Sequence, residues 1–164
     1  MKKYNVLGIG NAVVDVISQS SDMFLEKMNI EKGIMQLVDR DRGELLYNSM
    51  DNRKQAPGGS VANTIAVIGA LGLKTGFIGK VGTDELGVFY RDTMEENGTD
   101  FVNNLSDKSE LPTSRSMIFV SDDGERSMNT YLGISAELGP EDVNLEVAAS
   151  ADIVFLEGYL FDKD

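Results

Sequence analysis

The sequence contains no cysteine and no histidine. The first absence excludes disulfides and thiolate metal sites, and it leaves the redox compartment unreadable from thiols. The second removes the usual general base of neutral-pH catalysis and the commonest metal ligand. Positive charge is also scarce: 15 basic residues stand against 27 acidic ones, a formal charge of −12. A surface that negative repels phosphate backbones and anionic lipid, which argues against nucleic acid and membrane as partners. It still allows an anionic cofactor, held by a helix N-terminus or a few local cations. No apolar run approaches the length of a membrane span. Lys2 and Lys3 ahead of an apolar stretch imitate a secretory signal. Asn11 and Asp15 interrupt that stretch, however, and no small-residue cleavage site follows closely. A buried first strand accounts for the same residues, and the cytoplasm is the expected location.

What is present suits a folded domain. With 164 residues, 41% hydrophobic and 26% charged, the chain can bury a core and reads as globular. Val6 to Ile9, continued by Val13 and Val14, predicts an opening strand that extends to Ile17. Ser21 predicts a cap for a short helix through Met28, and Asp39 a cap for a helix carrying Leu45 and Leu46. Between them Ile34 to Val38 reads as a strand. After the break at Pro57-Gly58-Gly59, Val61, Ile65, Ile68 and Leu71 recur at helical spacing on a helix apolar enough to be buried. Lys74 to Val81 predicts a strand, and Asp84 caps a helix that Asn97-Gly98 stops. Asp123-Gly124 between two β-rich runs, Arg115 to Ser121 and Arg126 to Tyr131, signals a hairpin. Pro140 suits the first turn of a further helix. Ile153 to Leu156, bounded by Asp152 and Glu157, has the continuous apolar character of a strand buried on both faces.

Strands alternating with helices imply an α/β fold around an open, mostly parallel sheet. The hairpin and the Ile34 region fit that alternation poorly and predict a separate small sheet. The sequence stops at Asp164 just after a core strand, with no helix to cover it.

The chemistry-bearing residues each admit a plain reading beside a functional one. Gly8-Ile9-Gly10 after a strand suggests a dinucleotide fingerprint, but its third glycine falls at Val13, whose side chain blocks close helix packing. No stretch fits a Walker-type loop, since Gly79-Lys80 is not followed by Ser or Thr. Asn11 and Asp15 are polar residues in an apolar strand and its exit. Asp15 could accept two hydroxyl hydrogen bonds and grip a vicinal diol; taken alone, a turn Asn and an exposed strand-end Asp are the better explanation. Gly58, Gly59 and Ser60 let backbone approach a ligand at a helix N-terminus. Asn63, on the first helical turn, could pair with a sugar hydroxyl, or simply be solvated. Arg126 is either a solvated hairpin charge or a movable guanidinium for phosphate. Asp122, Asp123 and Glu125 lack the spacing of a calcium loop and read as turn residues.

The order of these pieces resembles the ribokinase-like (PfkB-type) carbohydrate and nucleoside kinases. The resemblance runs through Gly10-Asn11 with Asp15, and through Gly58-Gly59-Ser60-Val61-Ala62-Asn63 to Leu71-Gly72. It continues with Gly82-Thr83-Asp84-Glu85-Leu86-Gly87, Gly98-Thr99-Asp100, and Gly124-Glu125-Arg126-Ser127. It covers nearly the whole chain. The spacing from Gly10 to Asp15 and Ser60 after the glycines are similar to the adenosine-kinase branch. The resemblance implies a Rossmann-like sheet flanked by helices plus a small β-sheet lid, with residues 1–164 forming the N-terminal part of one kinase domain and lid strands near 30–38 and 113–131. It implies that Asp15 holds ribose hydroxyls with help from Asn11, Gly58, Gly59, Ser60 and Asn63, and that Arg126 reaches the phosphates when the lid closes. Its cofactors are ATP and Mg2+, its partner a small sugar or nucleoside, and a lid sheet of this kind can form a homodimer. The family's Asp-Thr-x-Gly-Ala-Gly-Asp signature, which holds the general base, the anion hole and most ATP contacts, is missing from this sequence. The expectation is therefore the substrate-binding half of an ATP-dependent kinase, inactive by itself. The alternative is a non-catalytic sugar or nucleoside-binding module.

Overall fold

The apolar run from Val6 to Ile17 does not form one strand. In the computed structural model, which describes residues 2–161, it divides into β1 (Tyr4–Ile9) and β2 (Val13–Gln19), and the two strands belong to different sheets. The break is at Gly10-Asn11-Ala12. Hydrophobicity alone could not locate it, because both strands need buried side chains and the apolar pattern continues across the bend.

The first sheet is parallel and has the order β6-β5-β1-β9, with β5 at Thr75–Ile78, β6 at Thr99–Phe101 and β9 at Ala151–Leu156. Helix α3 (Ser60–Ala70) packs onto it. Gly8 permits that contact, since a Cβ there would lie 2.5 Å from the Ile65 side chain and 2.6 Å from that of Val61. The glycine that suggested a dinucleotide loop thus serves helix-on-sheet packing. The expectation that α3 is buried holds for Val61, Ala62 and Ile65 but not for Val67 and Leu71, which are exposed. Strand β9 departs from expectation in the same way. Ile153 is 60% exposed and Leu156 48%, because among the described residues β9 pairs with β1 and with no strand beyond it.

The second sheet is mixed, with the order β3-β8-β7-β2-β4. Its strands are β2, β3 (Met35–Leu37), β4 (Lys54–Gly58), β7 (Ser114–Val120) and β8 (Arg126–Tyr131). Sequence reading assigned to it the segments near 30–38 and 113–131; the sheet also takes in β2 and β4. Strand β4 was hidden by its polar start and by Pro57, a residue confined to edge strands, which is where β4 lies. One face of the sheet packs on α1 (Asp22–Lys27) and α2 (Arg40–Ser49), burying Val14, Val16, Leu25, Leu46, Met117 and Phe119. Ser21 and Asp39 cap those helices through their side chains. Beyond the hairpin the predicted Pro140 helix is a 3-10 turn of three residues, followed by α5 (Leu145–Ala149), which Asn144 caps.

The stretch Gly82 to Gly87 fastens the two sheets together. Asp84 caps α4 (Glu85–Glu96) by accepting from Gly87 N at 2.9 Å, while its other oxygen accepts from Thr113 N at 2.8 Å, one residue before β7. Thr113 in turn accepts from Gly82 N at 2.9 Å. A Cβ on Gly87 would stand 2.0 Å from Gly82 O, so only glycine fits. Asp84→Ala removes a helix cap and strands a strand-entry amide. It should lower stability by roughly 1–3 kcal/mol, read as a lower urea midpoint with an unchanged slope.

Candidate functional site

A cavity of about 570 Å³ is bounded by the free face of the second sheet, the N-terminus of α3 and the segments 132–138 and 157–160. Asn11, Asp15, Gly59, Ser60 and Asn63 all line it. Five of the seven residues singled out from the sequence therefore share one wall, although they come from a bend, a strand and a helix. Gly58 stands immediately behind that wall, and Arg126 lies apart from it.

Asp15 sits in the middle of β2, opposite Ala56 of β4 and Ser116 of β7. The cross-strand row continues from Ser116 to Thr130 and Leu37, so the carboxylate shares its face with a bonded Ser116–Thr130 hydroxyl pair at 2.8 Å and with an apolar side chain. Burial pushes the Asp15 carboxyl up from 3.8 to about 6, opposed by the positive charge of Arg126. Space for the carboxylate comes from Gly58, where a Cβ would fall 2.5 Å from Asp15 Cγ. The Gly58 carbonyl is held from behind by the buried Tyr90 hydroxyl at 2.9 Å. Burial, then the charges of Asp15 and Glu157, raise the Tyr90 hydroxyl well above its ordinary value, so it stays a donor.

Gly59 has φ +103°, and a Cβ there would come within 2.3 Å of Asn11 O. The double glycine is thus required twice, once for a carboxylate and once for a left-handed backbone against a carbonyl. Gly59 is also the N-cap of α3 and offers no side chain to it. Asn63 N closes the first helical bond to Gly59 O at 3.0 Å, so the amides ahead of it have no i−4 partner inside the helix. Asn63 itself is exposed and borders the cavity.

The residue that sequence reasoning missed is Glu157. It had served only to mark the end of a strand, yet it is 7% exposed and lines the cavity. Its Oε1 accepts from Asn11 N at 2.7 Å and from Asn11 Nδ2 at 2.6 Å, and its Oε2 accepts from the Ser60 hydroxyl. Gly10 leaves room for it, since a Cβ there would lie 3.1 Å from Glu157 Cδ. An acidic residue directly after an apolar strand, with a spare glycine elsewhere, was the available signal. Ser135 also went unremarked; its hydroxyl donates to Asn11 Oδ1 at 2.7 Å.

The cavity also has apolar lining: Met35, Leu37 and Met128, on the same sheet face as Asp15 but toward the β3 edge, and Leu132, Ala136 and Leu138 from the segment after β8. Arg126 opens β8 and is exposed; among the described residues no carboxylate lies within 4.0 Å of it. The described residues also hold no cluster of three or more Asp or Glu that could bind a metal ion, and no helix among them is long and apolar enough to cross a membrane. The polar and apolar lining together suit a ligand that carries both hydroxyls and an apolar group.

Residues 32–164 match the family described as pfkB family carbohydrate kinase. Among solved structures, a probable sugar kinase from Rhizobium etli CFN 42 is similar over 100% of this chain and 49% of its own, with 45% identity and a TM-score of 0.88. The adenosine kinase from Sinorhizobium meliloti is similar over 99% of this chain and 49% of its own, with 47% identity and a TM-score of 0.87. Probable fructokinase-2 of Arabidopsis thaliana is 34% identical over 122 residues, which is 73% of this chain and 36% of that protein. The chain thus spans about half the length of these solved structures and about a third of the curated relative.

The raised Asp15 carboxyl makes a signed prediction. The folded state binds the proton more tightly than the unfolded one, so the cost of burying the charge is absent below pH 4 and grows as pH rises to about 6. Asp15→Asn should therefore be more stable than the parent at pH 8, by on the order of 2 kcal/mol after allowing for solvent access. At pH 3.5 the two should have equal thermal midpoints.

Proposed function

Because the chain belongs to the pfkB family of carbohydrate kinases, we propose that it is the substrate-binding half of an ATP-dependent kinase acting on a hydroxyl of a sugar or nucleoside, with an adenosine-like nucleoside favoured. The observation that carries this reading is the mixed lining of one cavity. Asp15, Asn11, Ser60 and Asn63 supply polar groups, and Met35, Leu37, Met128, Leu132, Ala136 and Leu138 supply apolar surface. A free sugar is hydroxylated all round and leaves the apolar surface unused. A nucleoside carries a diol at one end and a flat, weakly hydrated base at the other. The similarity to an adenosine kinase at 47% identity supports the same choice.

In this reading Asp15 accepts hydrogen bonds from a vicinal diol, a role suited to a carboxylate that receives no hydrogen bond from the described residues. Asn11, Gly58, Gly59, Ser60 and Asn63 surround it. Arg126 is placed by its charge to meet a phosphate when the second sheet approaches the first. That sheet ends in β3 with Met35 and Leu37 exposed, which supports pairing of two copies through it.

The sequence lacks the Asp-Thr-x-Gly-Ala-Gly-Asp signature to which the family resemblance assigns the general base, the anion hole and most ATP contacts. In phosphoryl transfer, positioning and charge stabilisation supply almost the whole effect. The chain by itself is therefore proposed to bind substrate without turning over ATP.

Calorimetric titration with adenosine, 2′-deoxyadenosine, 3′-deoxyadenosine and ribose tests the reading. Adenosine should bind best, and loss of either hydroxyl should weaken binding about tenfold, as expected when a charged group loses a hydrogen-bond partner. Asp15→Asn should erase the difference between adenosine and its deoxy forms. Equal affinity for all four ligands in the parent chain, or adenosine-dependent release of ADP by this chain, contradicts the proposal.

A further inference from the structure

We infer that Ser135 is a positioning residue that fixes the Asn11 amide as a hydrogen-bond donor toward the cavity, so that Asn11 reads an acceptor atom of the ligand. The inference rests on the proposed function only for the identity of that ligand.

The argument starts at Glu157. A carboxylate accepts and does not donate, and Oε1 lies 2.6 Å from one side of the Asn11 amide. That side must therefore be the NH2 group. The backbone N–H of Asn11, which reaches the same oxygen at 2.7 Å, supplies a second donor and leaves no role for a carbonyl there. The amide oxygen then faces the other way, toward Ser135 Oγ at 2.7 Å. A carbonyl oxygen only accepts, so the Ser135 hydroxyl donates. Neither end of the amide is free to turn.

Ser135 is itself held rigidly. It lies on a 3-10 turn, Gly133–Glu137, and is 1% exposed. Gly133 has φ +48°, and a Cβ there would meet Pro112 O at 2.2 Å; Ile134 N donates to the same carbonyl at 3.0 Å. The turn directly follows β8, so the exit of the second sheet determines which way a residue at the β1–β2 bend presents its amide.

The consequence is a defined polarity for the site. One N–H of Asn11 Nδ2 is used by Glu157, and the second remains for a ligand in the cavity that Asn11 lines. Ser60 has a single O–H, spent on Glu157 Oε2, so its oxygen offers only lone pairs to the cavity. Asp15 likewise offers lone pairs. At this point of the wall a ligand thus meets the Asn11 donor beside the acceptors Ser60 and Asp15. A hydroxyl satisfies both, accepting from Asn11 while donating to Asp15 or Ser60, whereas an ether or a halogen can only accept.

The test is two-dimensional NMR of the whole chain, observing the side-chain NH2 pair of Asn11, together with calorimetric titration of adenosine. Ser135→Ala should shift the Asn11 NH2 resonances and speed their exchange with water, and it should weaken adenosine about fivefold to tenfold, the effect of one lost orienting hydrogen bond. Ser135→Thr, which keeps the donor, should restore both. Should Ser135→Ala not fold, Ser135→Cys, with a weak S–H donor of similar size, is read in the same way. Asn11 NH2 resonances left at their parent positions in the variant overturn the inference. A parent chain that binds no adenosine contradicts the proposed function instead, while the NMR comparison still decides the role of Ser135.

Discussion

The carboxylate of Glu157 ties three parts of the molecule together at the edge of the cavity. It lies at the end of β9, and it takes two hydrogen bonds from the bend between β1 and β2 and one from the first residue of α3. A carboxylate this buried is costly unless its lone pairs are filled. Here three donors occupy them, all from the candidate ligand contacts Asn11 and Ser60. Glycines complete the arrangement: Gly10 leaves space for the carboxylate and Gly59 for the Asn11 carbonyl. The wall of the cavity is therefore built from the inside outward, with its polar groups oriented by a charge that itself faces partly inward.

Asp15 is the counterpart of Glu157. Both are carboxylates at the cavity, yet one receives three hydrogen bonds and the other none from the described residues. The unsatisfied one sits on a strand face beside Gly58, with burial raising its carboxyl to about 6. Its desolvation is a standing cost to the fold, and residues that keep such a cost are those a ligand relieves. The contrast separates a group that builds the cavity wall from the one to which the proposed function assigns the substrate.

Much of this was legible in the sequence, and the failures have physical causes. Caps at Ser21, Asp39 and Asp84 were readable because a side-chain oxygen before an amphipathic run has a local meaning. The hairpin at Asp123-Gly124 was readable for the same reason. The division of Val6 to Ile17 between two sheets was not, because a bend between two buried strands leaves the apolar pattern intact. Strand β6 has three residues, too few for a periodic signal, and β4 is polar with a proline. At the site, Asn11, Asp15, Gly59, Ser60 and Asn63 stood out because polar or glycine residues interrupted apolar surroundings. Glu157 and Ser135 did not, since a Glu after a strand and a Ser in a loop are ordinary until the fold brings them to Asn11. The exposure of β9 also escaped, because its continuous apolar sequence describes a strand covered on both faces and says nothing about what covers it.

The most direct measurement is a map of backbone amide shifts across the whole chain during titration with adenosine. The account predicts saturable changes concentrated at residues 11–15, 58–63, 128–138 and 157–160, the segments that bound the cavity. Saturable changes elsewhere, on the outer face of α2 or along α5, with those segments silent, would contradict it.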